Sequence, residues 1–232
     1  MSQRYVLSGF RDALRLPAWV VGLTMLGVGS LARDVGHPAA AAVLSTLLIW
    51  AGPAQVILYG GLATGVALPA LAVAISLSSI RFLPMTMSVL PQLRRPKQSL
   101  GLQLLIAHYV AVTVWVQTHT RLSSIPEEGR VAYYLGFANT TLLVSGLLTF
   151  LGYFMAAVLP LPLAAALLFV TPVFFTLSLI ATARSAMDAT AMAAGFILAP
   201  AFASTLGRDF DLLATGLIGG TAAYFVGRAT RK

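Results

Sequence analysis

Long apolar runs, separated by short clusters of charge, dominate this chain. From Val35 to Ile80 there is no Asp, Glu, Lys or Arg, and the same holds from Val131 to Ala183. A helix needs roughly 20 apolar residues to cross the hydrocarbon core of a bilayer, so each run has room for two crossings. The pattern predicts membrane segments at 16–32, 39–64, 67–91, 99–119, 131–158, 163–183, 189–206 and 211–227. The runs lack sustained alternation and far exceed the roughly 9–11 residues of a barrel strand. The expected fold is therefore all-α: a polytopic membrane helix bundle. It forms a single transmembrane domain over residues 1–232, with short terminal tails and interrupted or re-entrant helices.

The interruptions are read from proline beside polar residues. Gly52-Pro53-Ala54-Gln55 falls near the middle of the second segment, Arg81 and Pro84 in the third, Thr171-Pro172 in the sixth and Pro200 in the seventh. A proline inside a helix removes a backbone donor and clashes with the preceding turn. Protein or water must satisfy the freed carbonyls, because lipid cannot. Such breaks build transporter sites near the midplane, and they also serve as kinks that improve packing. Dense small residues, among them Gly60, Gly61, Gly65, Gly195, Gly216, Gly219 and Gly220, are explained by close helix packing.

Composition agrees with a membrane reading. Of 232 residues 58% are hydrophobic and 9% charged, against about 25% charged in an ordinary soluble domain. The net charge of +8 sits at the flanks of apolar runs: Arg4, Arg11 and Arg15; Arg94, Arg95 and Lys97; Arg228, Arg231 and Lys232. That placement fits anchoring to anionic lipid and a cytoplasmic bias, and it does not form a nucleic-acid stripe. Leu16 to Ala32 follows a positive segment as a signal peptide would. It lacks a clear cleavage pattern and runs into Arg33-Asp34, so it reads as the first helix of the mature protein. The basic amino-terminal tail and the Arg94–Lys97 loop should share one side, yet three segments separate them. Either the third segment turns back near Arg81, or one segment lies along the membrane.

With no cysteine, a disulfide scaffold and a thiolate metal site are excluded. No nucleophile–base–acid set, zinc motif, phosphate loop or nucleotide fingerprint is visible, so no enzyme, cofactor or metal is expected. Intramembrane polar residues carry the remaining chemistry. Arg81 offers a two-pronged donor for a carboxylate, or snorkels from a short half-helix. Gln55 can donate and accept beside freed backbone. His108, midway through the fourth segment, is a proton-coupling candidate or a packing histidine. Asn139, Thr140 and Thr141 line a cavity or tie helices together. Asp188, after Arg184, marks a short loop, and Glu127 and Glu128 sit solvated in the polar stretch Arg121 to Arg130.

At these residues the chain resembles the AzlC family, the large subunit of branched-chain amino acid export systems. Ser45-Thr-Leu-Leu-Ile-Trp-Ala-Gly-Pro-Ala-Gln55 resembles the family's serine followed by Ala-Gly-Ala-Ser-Gln, and Arg81 matches an arginine in the third segment. Gly136-Phe-Ala-Asn-Thr and Thr171-Pro-Val-Phe-Phe fit more loosely, and the resemblance spans roughly residues 9–227. It implies a gradient-driven permease of the bacterial inner membrane, exporting valine, leucine, isoleucine or related amino acids. It also implies a small multi-pass partner, AzlD. Arg81, Gln55, Ser45, Asn139 and Thr140 are the expected substrate contacts. A structural membrane subunit, or a carrier of another small solute, is the competing reading. Two positions depart from the family: Ser79 and Phe82 replace an acid and a histidine around the arginine. Ala107-His108-Tyr109 stands where Thr-Asp-Glu is common, which motivates His108 as the substitute coupling group.

Overall fold

A computed structural model describes residues 2–96, 98–155, 185–205 and 211–230, with scattered positions between 156 and 184. Its regular elements are helices: α1 (Ser2–Arg15), α2 (Pro17–Asp34), α3 (Ala39–Ile49), α4 (Gly52–Ala63), α5 (Leu68–Ser79), α6 (Phe82–Leu93), α7 (Leu100–His108), α8 (Val112–Arg121), α9 (Glu127–Met155), α10 (Ala186–Thr205) and α11 (Asp211–Ala229). The chain is an all-α membrane bundle of long apolar helices and bent or broken spans, as expected. Two compact units divide it, Met1–Phe174 and Phe175–Lys232. Most of the expected sixth segment, 163–183, including Thr171-Pro172, lies outside the described residues.

In the second unit α10 and α11 pack on each other, Gly219 against Ala194 and Gly227 against Met187. Asp188 is not in a loop. It sits in the first turn of α10, where Ser185 and Asp188 cap one another, N–H to side chain, at 3.0 and 3.1 Å. This reciprocal cap satisfies donors that a helix start leaves open. The helix runs through Pro200 without interruption.

The spine of the first unit is α9, 29 residues and about 43 Å long at 1.5 Å per residue. Glu127 and Glu128 form its first turn, where carboxylates favour the positive helix end, so the polar stretch is shorter than expected. Arg95 donates to the Glu127 carbonyl at 3.1 Å, which marks the end of the unit where α9 begins as the basic end. Arg33 donates to the Tyr153 carbonyl at 3.2 Å and marks the far end.

Residues 2–15 are not a loose tail. They form an amphipathic helix that bends by 56° into α2, and together the two run alongside α9 from the basic end to the far end. Backbone meets backbone along this line. A Cβ built on Gly9 would fall on the Tyr133 carbonyl, one on Gly29 on the Thr149 carbonyl, and one on Gly152 on the Leu26 carbonyl. Small residues permit such close approach, the main source of helix association in lipid.

From the far end α3 enters and the chain reverses. Ser45 and Tyr59 lie fourteen residues apart yet share a hydrogen bond of 2.6 Å. In one continuous helix they would stand about 20 Å apart. His37, just before α3, also meets the Tyr59 ring edge-on at 5.7 Å. So α3 and α4 form a re-entrant hairpin that returns to the far end. After a turn at Gly65, α5 and α6 run back to the basic end, bent by 54° at Ile80–Arg81.

Leaving the basic end, α7 reaches inward and α8 turns back through 110°. Two contacts fix its direction: Trp115 donates to Ser88 at 2.8 Å, and Gln92 meets His119 at 3.1 Å. Both pairs are offset by 27 residues, so α8 runs parallel to α6 and back to the basic end. The first unit thus repeats one plan twice in opposite directions, a bent span followed by a re-entrant hairpin.

This plan corrects the expected crossings. The second segment, not the third, turns back, so the amino terminus and the Arg94–Arg95 loop share one end. The fourth segment, where no interruption is read from the sequence, turns back as well. At Arg81 the chain bends and continues.

Candidate functional site at the hairpin tips

The two hairpins point at each other and meet beside the middle of α9. Trp50, at the first tip, lies edge-on to Tyr109, at the second, with ring centroids 6.4 Å apart. His108 Nε2 donates to the Leu47 carbonyl at 3.0 Å; because a carbonyl only accepts, the proton must be on Nε2. On α9 the tips are received six residues apart, Tyr109 donating to Asn139 at 2.7 Å and Trp50 to Ser145 at 3.1 Å.

Local strain marks the first tip. Trp50 closes α3 at φ 40°, ψ 43°, a left-handed conformation that costs a bulky residue roughly 1–2 kcal/mol. Its indole bond and the Tyr109 contact hold it there. Ala51 is extended, and Gly52-Pro53 opens α4, where proline loses no helix bond.

Beside this break the polar protons can be followed one by one. Ser145 donates to the Thr141 carbonyl at 2.8 Å, and Thr149 to the Ser145 carbonyl at 2.9 Å. With its proton spent, Thr149 accepts from Thr46 at 2.8 Å. Ser45 gives its proton to the Ala42 carbonyl at 2.7 Å and so accepts from Tyr59. Both hydroxyls have only lone pairs left for Gln55, whose Nε2 donates to Ser45 at 3.0 Å and to Thr46 at 2.9 Å. This sequence fixes the orientation of the amide. Gln55 is fully buried, and its Oε1 has no partner. An open acceptor in a buried place is costly unless something fills it.

Arg81 occupies the bend of the α5–α6 span. It is half-buried, its Nε has no hydrogen-bond partner, and its guanidinium carbon lies 5.1 Å from the Phe82 ring centre. Among the described residues no carboxylate pairs with it. Topology puts it near the tips. The α4–α5 hairpin, packed through Gly61 against Leu71, returns the end of α5 towards the start of α4.

The expected residues divide accordingly. Ser45 and Gln55 are bonded together, while His108 and Asn139 join the same meeting point through Leu47 and Tyr109. Asn139 and Thr140 also border an apolar groove of about 520 Å³ between α1 and α9, which none of Gln55, Arg81 or His108 lines. The Thr140 hydroxyl is committed to the Gly136 carbonyl at 2.7 Å.

One buried acid escaped the sequence reading. Asp12 accepts from Arg121 at 3.1 and 3.3 Å and from Tyr133 at 2.9 Å, tying α1 to α8 and α9. Asp12 lies between Arg11 and Arg15 of the basic flank, and Tyr5, Gly9, Asp12 and Ala13 share the helical spacing of a packed face.

Two inverted bent spans with re-entrant hairpins meeting at their tips define a multi-pass membrane protein with its polar centre between the breaks. The chain belongs to the AzlC protein family, whose model matches residues 18–159, from α2 past the end of α9. No curated protein and no solved structure matches it.

Proposed function

We propose that this chain is the large, substrate-bearing subunit of a secondary amino acid exporter. Its cargo is a branched-chain or similar small hydrophobic amino acid, and it works with a small multi-pass AzlD-like partner in the bacterial inner membrane. The basic end carrying Arg94, Arg95 and Arg121 faces the cytoplasm, in keeping with the positive-inside bias. Family membership supports the transport class. The observation that carries the site is the Gln55 carbonyl, oriented by a complete proton sequence and left open beside a helix break.

An open acceptor suits an ammonium, and an unpaired guanidinium suits a carboxylate. A zwitterionic amino acid presents both. Gln55 and Arg81 take the headgroup, with Ser45 holding the amide; Asn139 and Thr140 border the path, and apolar walls receive the side chain. His108, with Nε2–H on the Leu47 carbonyl, keeps Nδ1 free to exchange the coupling proton.

Reconstitution into liposomes with and without the small partner, followed by flux over a panel of amino acids, tests the reading. Labelled leucine or valine should move, faster with the partner present. Gln55→Leu and Arg81→Ala should each lower flux about tenfold or more at normal abundance. Undiminished flux in both variants would reject the headgroup site, and no flux of any amino acid would reject the cargo.

A further inference from the structure

The second hairpin has an open group of its own. At its tip Ala111 is extended and caps α8 with no side-chain bond, and the first bond closing the helix runs from Trp115 N–H to the Ala111 carbonyl at 2.8 Å. The N–H groups of Val112, Thr113 and Val114 therefore have no carbonyl within the helix. Thr113, in this first turn, is 4% exposed, and its hydroxyl has no hydrogen-bond partner. Helical side chains lean towards the helix start, so this hydroxyl borders the open end. Threonines elsewhere in α8 and α9 behave differently: Thr118, Thr140, Thr141 and Thr149 each bond to the carbonyl four residues earlier.

We infer that the first turn of α8, with the Thr113 hydroxyl, binds the carboxylate of the cargo. The inference rests on the amino acid reading above and adds a residue and a pole to it. Trp50 against Tyr109 seats this tip on the first hairpin, whose second helix carries the open Gln55 acceptor. The positive end of a helix and its free N–H groups favour an anion. Arg81, on the neighbouring bend, supplies the balancing charge. A carboxylate has about four lone-pair sites and can accept from both sources. The two hairpins then divide the headgroup, ammonium to the first and carboxylate to the second.

The test uses the full-length chain in lipid nanodiscs and three labelled probes. These are leucine, 4-methylpentanoate (leucine without its amino group) and 3-methylbutylamine (leucine without its carboxylate). Thr113→Val keeps the shape and removes an unpaired hydroxyl, so the fold should be at least as stable. It should weaken leucine and 4-methylpentanoate about tenfold and leave 3-methylbutylamine unchanged. Thr113→Ser, which restores the hydroxyl, should bind all three as the native chain does. Equal 4-methylpentanoate binding by native protein and Thr113→Val would overturn the inference while leaving leucine binding, and the amino acid reading, intact. If the native chain binds 4-methylpentanoate but not leucine and Thr113→Val loses it, the carboxylate pole stands and the amino acid reading falls. Binding of neither overturns both.

Discussion

The frame of α1, α2 and α9 and the two hairpins answer the same problem in opposite ways. In the frame, backbones touch through Gly9, Gly29, Gly136 and Gly152, leaving no room for a Cβ at those positions. At the hairpin tips, contact is made by the side chains of Trp50, Tyr109 and His108, and three polar atoms in or beside the breaks remain open: Gln55 Oε1, Thr113 Oγ1 and Arg81 Nε. Lipid offers helices no hydrophobic reason to associate, so close packing must hold the fold wherever it is to stay fixed. Polar groups left open in the interior lower stability and are worth keeping where a ligand completes them. The frame is built to stay in place, and the hairpins to bind. Substitutions in the frame should therefore change stability and spare affinity, with the reverse at the tips.

The largest effect is expected where backbones cross. Valine at Gly29 or Gly152 drives a branched side chain into the Thr149 or Leu26 carbonyl, and α2 must leave α9. Overpacking of this severity costs about 3 kcal/mol or more. Size-exclusion chromatography of a fluorescent fusion should find little monodisperse protein; a normal peak for both variants would mean that the frame yields more than its geometry suggests.

Next comes Asp12→Ala, at about 2 kcal/mol. The substitution strands Tyr133 and one face of Arg121, but Arg121 is about half exposed and water recovers part of the loss. Thermal unfolding in detergent should register the change while leucine affinity, measured on the surviving protein, stays within twofold or so. A matching loss of affinity would make the Asp12 cluster part of the binding machinery and blur the division between frame and tips.

How much of this division could be read from residues alone depends on what causes each break. The first tip announced itself through Gly52-Pro53, which no helix interior accommodates well, and the bend at Arg81 through its charge and Pro84. The reversal at the first tip was hidden, because it is held by Ser45 and Tyr59 finding each other across fourteen residues. The second break was hidden altogether. Ala107 to Ala111 contains neither glycine nor proline, and tertiary bonds keep it open: Tyr134 donates to the Ile106 carbonyl at 2.8 Å and Tyr109 to Asn139. Apolar windows find material able to cross a membrane, and direction is decided by contacts distant in sequence. Gln55 and Arg81 stood out because polarity within an apolar run is conspicuous. Thr113 did not, since a lone threonine in a helix usually satisfies itself on its own backbone.

Thr46→Val separates stability from affinity at the first tip. The valine removes the hydroxyl between Thr149 and Gln55, at about 1 kcal/mol. More is at stake for the amide. With one of its two acceptors gone, Gln55 can rotate, and the open carbonyl is no longer aimed by the proton sequence. Leucine affinity should fall by a larger factor than stability alone predicts, measured by equilibrium binding beside a melting curve. Affinity equal to that of the native chain would show that the sequence of protons holds the hairpin together and does not direct Gln55.

The smallest effect on the fold, and the most informative about coupling, belongs to His108→Ala. His108 is exposed within the chain and makes one bond, to the Leu47 carbonyl, so its loss should cost about 1 kcal/mol or less. That carbonyl lies in the last turn of α3, where a broken helix leaves acceptors for a neighbour to satisfy. If His108 is the coupling group proposed above, export should lose its dependence on pH in His108→Ala. His108→Gln, which retains an N–H donor and cannot titrate, should keep the contact between the hairpins and lose the pH dependence as well. If the glutamine variant keeps the native pH profile, the coupling group lies elsewhere, and His108 serves only to join the two tips.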